Sequence, residues 1–160
     1  MSRKTYGRMK PILIFSHVAC EPPGHINTLI ERLGYPSRQV CLMEQACDER
    51  VLHDTSAIVI MGGPGDVNQP SAWMQQEMQL IRQADQLGVP ILGICLGAQL
   101  MSKALGGQVQ QGQSLEVGWH PIQLLPAAQD HPWFVGLPDN FTAFQWHAHE
   151  FSPPAGAELM

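Results

Sequence analysis

The chain has 160 residues, 44% of them hydrophobic, with nine Lys and Arg against 14 Asp and Glu for a formal net charge of -5. That length fits one soluble globular domain, and the few basic residues form no stripe interleaved with aromatics, which argues against nucleic acid as a partner. No apolar run approaches the roughly 18 residues needed to span a bilayer, and the polar opening Met1-Ser2-Arg3-Lys4 lacks the apolar core of a signal peptide, so no membrane role is expected.

Residues 1–9 are polar and read as a disordered N-terminal segment, with Met9 an alternative start, ahead of one domain over residues 10–160. Residues 11–15 form an unbroken apolar run, the pattern of a central parallel strand covered on both faces. Glu21-Pro22-Pro23-Gly24 breaks it. Residues 25–33 then predict a short helix with Ile26, Leu29, Ile30 and Leu33 on one side and Gly34 as its stop. A weaker strand is expected over residues 39–43.

Residues 57–61 read as another buried strand, ending abruptly in Gly62-Gly63-Pro64-Gly65-Asp66. Such glycines either make an ordinary turn or leave backbone amides exposed at the carboxyl end of a strand, where ligands bind in open α/β sheets. Ser71 is placed to cap a helix running to about residue 87, with Trp73 or Met74, Met78, Ile81 and Ala84 as a core-facing stripe and Gly88 as the stop.

Residues 90–94 then lead through Gly93-Ile94-Cys95-Leu96-Gly97 into helical spacing that ends at Gly106-Gly107. Gly-x-Cys-x-Gly at a strand-to-helix junction is the cysteine counterpart of the nucleophile elbow, in which small neighbours let a strained turn lift the nucleophile clear of the sheet. The N–H groups that open such a helix favour negative charge and donate to a developing oxyanion. Strands alternating with helices up to this point imply a doubly wound parallel sheet.

Beyond Gly107 the helical period disappears. Residues 108–111, 116–119 and 120–125 look like short strands, residues 130–139 like turn-rich connectors, and residues 141–146 like a strand leading into His147-Ala148-His149-Glu150. Of the four cysteines, Cys20, Cys41 and Cys47 read as packing residues or incidental thiols. The lack of Cys-x-x-Cys spacing or of a disulfide-dense pattern points to a reducing cytoplasm.

Gly93-Ile94-Cys95-Leu96-Gly97-Ala98-Gln99 with Ala104-Leu105-Gly106-Gly107, preceded by Gly62-Gly63-Pro64 and followed by Glu116-Val117-Gly118-Trp119 and Gln145-Trp146-His147, resembles the class I glutamine amidotransferases. The likeness is greatest to stand-alone members similar to the glutaminase part of GMP synthase. The resemblance implies a three-layer, flavodoxin-like fold with a mostly parallel sheet. It also implies a cysteine that attacks the side-chain amide of glutamine, releasing ammonia and leaving a glutamyl thioester for water to cleave, with no cofactor. Carried over, Cys95 is the nucleophile and the N–H groups of Gly63 and Leu96 form the oxyanion hole. Gln99 holds the substrate, the backbone around Ala148 and His149 contacts its amino-acid end, and Val117-Gly118 lines the same pocket.

One element of the family pattern is missing. Its base and orienting carboxylate lie in a His-x-Glu motif, typically Phe-His-Pro-Glu, after the Trp-His stretch, and residues 1–160 contain none. The resemblance therefore implies a domain incomplete at its C-terminus, with apolar surface or a strand edge exposed, and a marginal or partner-covered monomer. His147 or His149 with Glu150 is the in-chain substitute, since strand alternation sets both histidines on one face. The same cluster read as metal ligands lacks further ligands at suitable spacing, so no metal is expected. His17, His25, His53, His120 and His131 read as surface or satisfied core residues.

Three functions compete on these residues. The first is a glutaminase of the amidotransferase type acting on L-glutamine, either alone, as a homo-oligomer or with a synthase in trans. The second is a non-catalytic amidotransferase-like module that binds a small molecule or a partner. The third is a γ-glutamyl peptidase, which would keep the elbow but need a longer pocket.

Overall fold

A computed structural model describes residues 9–129 and 131–160. The expected disordered segment lies, apart from Met9, outside the described residues. Four parallel strands, β1 (Ile12–Ser16), β2 (Ser37–Cys41), β3 (Ala57–Ile60) and β4 (Ile91–Gly93), form a sheet in the order β2-β1-β3-β4. Leu13 pairs with Arg38 on one side and Ile58 on the other, and Ile58 in turn with Ile91.

Because side chains alternate across a strand, the apolar runs supply two cores. Leu13, Phe15, Ile58 and Ile60 point to one face and pack with Met74, Met78 and Ile81 of α2 (Ala72–Gln86) and Leu96 and Leu100 of α3 (Leu96–Ala104). Ile14 and Val59 point to the other and pack with Ile30 of α1 (Gly24–Arg32). The result is a three-layer α/β arrangement with the flavodoxin-like strand order. Helix α2 ends in a Schellman motif, Gly88 at φ 67° giving its N–H to Asp85 O and Val89 its N–H to Ala84 O. No helix of the described residues is long and apolar enough to cross a membrane.

Several local expectations need correction. The second strand covers Ser37–Cys41 rather than 39–43. Leu29 and Leu33 of the α1 stripe are exposed, since that short helix buries only the Ile26 and Ile30 side. The fourth strand shrinks to three residues with Leu92 exposed, because β4 has no second strand neighbour and α1 is the one described helix on that face. Ser71 precedes α2 in extended conformation but makes no side-chain cap bond.

The largest departure follows Gly107. The expected short strands are one long strand, β5 (Val109–Gln123), paired antiparallel with β6 (Asn140–Phe151), the register shifting between Gln111 and Glu116. This ribbon is separate from the parallel sheet. It is tied down at its base, where Ser102 Oγ donates to Ser152 O at 2.7 Å and Asn68 Nδ2 to Val109 O at 3.0 Å. Further out it exposes Val117, Trp119, Phe144 and Trp146.

Candidate active site

Ligands in open α/β sheets bind beyond the carboxyl ends of the strands, where the winding reverses. Here the ends of β1, β3 and β4 deliver His17, Gly62-Gly63 and Cys95 to one place, and β6 passes in front of them. Between β6 and the last two of these lies a cleft of about 990 Å³ whose lining includes Glu21, Gly63, Cys95, Gln99, Trp146 and His147, while His17 is buried and does not line it.

Cys95 occupies the turn from β4 into α3 at φ 52°, ψ -110°, the one non-glycine residue at positive φ among the described residues. Such a conformation costs on the order of 1–3 kcal/mol and persists only where its surroundings enforce it. The enforcement is steric. A Cβ on Gly93 would come within 2.7 Å of the Gly97 carbonyl carbon, and one on Gly97 within 2.8 Å of Ile60 Cγ2 and closer still to the Ile60 carbonyl oxygen. The two glycines thus let the first turn of α3 lie directly on β3 and β4. Cys95 is left exposed to the cleft, its Sγ 3.9 Å from Trp146 O. Leu96 has its side chain in the core, but as the first residue of α3 its N–H has no intrahelical acceptor.

The Gly62-Gly63 loop lies between the cysteine and a buried ion pair. A Cβ on Gly62 would stand 3.5 Å from Cys95 Cβ, whereas one on Gly63 would come within 2.8 Å of His17 Cβ and Nδ1. His17 is 1% exposed and Glu77 0%. The ring hydrogen-bonds the Gly62 carbonyl through Nδ1 at 2.8 Å and Glu77 Oε2 through Nε2 at 3.0 Å. A carbonyl only accepts, so Nδ1 carries a proton and donates. Burial by itself would lower the His17 pKa, but the hydrogen bond and charge of Glu77 outweigh it and hold the pKa above the ordinary histidine value. Trp73 packs against the ring at 5.0 Å.

The remaining expected site residues divide into two groups. Gln99 is 6% exposed and lines the cleft, as do His147, His149 and Glu150. Val117, Gly118 and Ala148 are not among the lining residues. Val117 and Gly118 instead pair across the ribbon with Trp146 and Gln145, which do line it. His147 Nε2 lies 2.9 Å from Glu116 Oε2 and His149 Nε2 3.9 Å from Asp66 Oδ1, so each histidine has a different carboxylate and neither pairs with Glu150. Neither histidine hydrogen-bonds the Cys95 sulfur. Among the described residues, no group of three or more His, Cys, Asp and Glu could hold a metal ion.

Two features escaped the sequence reading. Glu21, part of the strand-breaking turn, lines the cleft. His17 is a satisfied core residue, as read, but its partner and its hold on Gly62 were not foreseen. A signal existed: Glu77 falls on the same helical face as Met74, Met78, Ile81 and Ala84, and a carboxylate inside an apolar stripe demands a buried partner.

Comparison with known proteins places this geometry among relatives. The family described as glutamine amidotransferase class-I matches residues 26–160. The glutamine-hydrolyzing GMP synthase of Thermomicrobium roseum is 36% identical over 104 residues, 64% of this chain and 18% of that protein. The glutamine-hydrolyzing GMP synthase of Aeropyrum pernix is 33% identical over 133 residues, 82% of this chain and 24% of that protein. Among solved structures, a glutamine amidotransferase from Methylobacillus flagellatus superposes with TM-score 0.81 at 33% identity, over 93% of this chain and 59% of that one. One from Thermotoga maritima gives TM-score 0.82 at 28% identity, over 92% and 64%. The chain thus spans less than two thirds of the length of each of these relatives.

Proposed function

Since the chain belongs to the class-I glutamine amidotransferase family, we propose that its cleft binds L-glutamine and that Cys95 is the nucleophile of a glutaminase reaction. The observation that carries this reading is the strained Cys95 turn, which holds the sulfur at a helix N-terminus beside the Gly62-Gly63 loop. In the proposed reaction the thiol gives up its proton as Sγ bonds to the amide carbon. The carbon–nitrogen bond then breaks, and the nitrogen leaves as ammonia with that proton. Water adds across the thioester, releasing glutamate and restoring the thiol.

The N–H groups of Leu96 and Gly63 are the proposed oxyanion donors, each worth about 3–4 kcal/mol of transition-state stabilisation. The buried amide of Gln99 is the proposed contact to substrate, with the backbone at Ala148 and His149 toward its amino-acid end. Neither His147 nor His149 hydrogen-bonds the Cys95 sulfur, whose neighbour at 3.9 Å is Trp146 O, so neither is assigned the role of base. A synthase in trans, or a second copy of the chain, is the proposed partner that receives the ammonia or covers the exposed ribbon. The cytoplasm is the proposed setting.

The test is labelling by a chloroketone analogue of glutamine, mapped by peptide mass. Labelling at Cys95, abolished in Cys95→Ala and suppressed by glutamine, is the expected result. A cleft that takes up glutamine without modifying Cys95 would favour a non-catalytic binding module, a reading supported by the absence of a histidine on the sulfur. Preference for a γ-glutamyl peptide over free glutamine as the protecting ligand would move the assignment to a γ-glutamyl peptidase.

A further inference from the structure

The His17–Glu77 pair touches the Gly62-Gly63 loop from behind, on the side away from the cleft. Three elements meet at it: the end of β1 carries His17, α2 carries Glu77, and the end of β3 carries the loop. A surface turn of glycines would sample many conformations, yet this one is held between two fixed points. His17 lies under Gly63 so closely that a Cβ there would clash with the ring, and Cys95 lies against Gly62 on the other side.

The geometry of the peptide bond converts that contact into a direction. The Gly62 carbonyl and the Gly63 N–H belong to one planar trans unit and point in opposite senses. Drawing the carbonyl onto His17 Nδ1 at 2.8 Å therefore turns the Gly63 N–H away from His17, to the side where the cleft lies. That N–H donates to no acceptor among the described residues. Glu77 in turn fixes the ring, taking a hydrogen bond from Nε2 at 3.0 Å. Both side chains are buried, so the carboxylate has a partner only while His17 stays in place.

We propose that His17, oriented by Glu77, is a positioning residue that sets the Gly62–Gly63 peptide so that the Gly63 N–H faces the oxygen of the carbonyl attacked by Cys95. His17 touches no reacting atom. Its effect on catalysis passes through one peptide plane, and the proposal rests on the glutaminase reading above.

The experiment compares two rates at Cys95 in the same protein: modification by the chloroketone analogue of glutamine, whose carbonyl needs an oxyanion site, and alkylation by iodoacetamide, which develops no oxyanion. His17→Ala is expected to slow the first by about tenfold or more and to leave the second within about twofold, since the cysteine turn is enforced by Gly93 and Gly97 and not by His17. The double variant His17→Asn with Glu77→Gln keeps an amide donor near the Nδ1 position and removes the buried charge, and is expected to recover most of the loss. It also carries the test if His17→Ala no longer melts cooperatively.

Three results would overturn the proposal. Equal slowing of both reagents in folded His17→Ala would make His17 merely structural. An unchanged chloroketone rate in that variant, or no better rate in the double variant, would show that the ring does not set the loop. A wild-type Cys95 that alkylates with iodoacetamide but never reacts with the glutamine analogue would remove the glutaminase reading itself, and the positioning role with it.

Discussion

His147 Nε2 and Glu116 Oε2 lie 2.9 Å apart across the β5–β6 ribbon, so the histidine that follows Trp146 answers to a carboxylate on the facing strand and not to the thiol of Cys95. The register of the ribbon creates this pairing, since Glu116 and His147 are directly opposite just beyond its irregularity. Both groups are partly solvent-exposed, which limits the worth of the pair to about 0.5 kcal/mol. His147→Ala is therefore expected to lower stability by no more than that, and to leave iodoacetamide alkylation of Cys95 unchanged from about pH 6 to 8. A loss of the pH dependence of alkylation in this variant would instead identify His147 as the group that takes the thiol proton.

The conformation of Cys95 predicts a stability gain on removing its side chain. Glycine tolerates φ 52°, ψ -110°, whereas alanine retains the clash that cysteine suffers. Cys95→Gly is expected to be more stable than Cys95→Ala by about 1 kcal/mol, the released strain less the greater chain entropy of glycine. Thermal or urea unfolding of the two variants, neither of which retains the thiol, measures the difference directly.

Gly97→Ala should have the opposite effect. Its new methyl group would meet the carbonyl and side chain of Ile60, both part of a strand hydrogen-bonded on two sides and unable to yield. A loss of about 2–3 kcal/mol is expected, together with slower alkylation of Cys95, because α3 must move off β3 and carry the cysteine turn with it. A urea midpoint equal to wild type would show that the helix does not rest on the strand as described.

The buried pair gives stability a pH dependence of known sign. The pKa of His17 is raised in the folded protein, so its contribution is complete below the ordinary histidine value near about 6.5 and fades as pH rises through the folded value. Glu77 from α2 and Glu21 from the segment after β1 are the charged groups that act on the ring, and Trp73 packs against it. The urea midpoint, followed from about pH 6.5 to 8.5, should fall as pH rises, and the fall should be absent in the His17→Asn, Glu77→Gln double variant. The window stops there because the buried Cys47 thiol, pushed up by burial, adds a loss of the same sign at higher pH.

The exposed aromatic residues of the ribbon predict self-association or partner capture. Trp119 is 73% exposed and packs edge-on against Phe144, with Val117 and Trp146 nearby in the register. Wild-type protein is expected to show a concentration-dependent sedimentation coefficient that Trp119→Lys reduces. Concentration-independent sedimentation of the wild type would mean that this face is tolerated in water.

The residues by themselves determined the parallel-sheet half of the molecule. Unbroken apolar runs at 11–15 and 57–61, the stripe of α2 and the glycine stops are local patterns, and each element forms because its neighbours in sequence already favour it. The Gly-x-Cys-x-Gly turn was legible for the same reason, since both glycines that permit it lie within two residues of Cys95. What followed Gly107 was legible as strand but not as one continuous paired ribbon. Apolar and polar residues alternate along both of its strands, but the length and register of the ribbon come from pairing between segments remote in sequence, which no local pattern announces. The partners of His147, His149 and His17 were likewise invisible, because each is chosen by distance in space across elements remote in sequence. His17 and Glu77 meet sixty residues apart only because β1 and α2 pack against each other in the core, and only that packing decided which histidine stands behind the loop that faces Cys95.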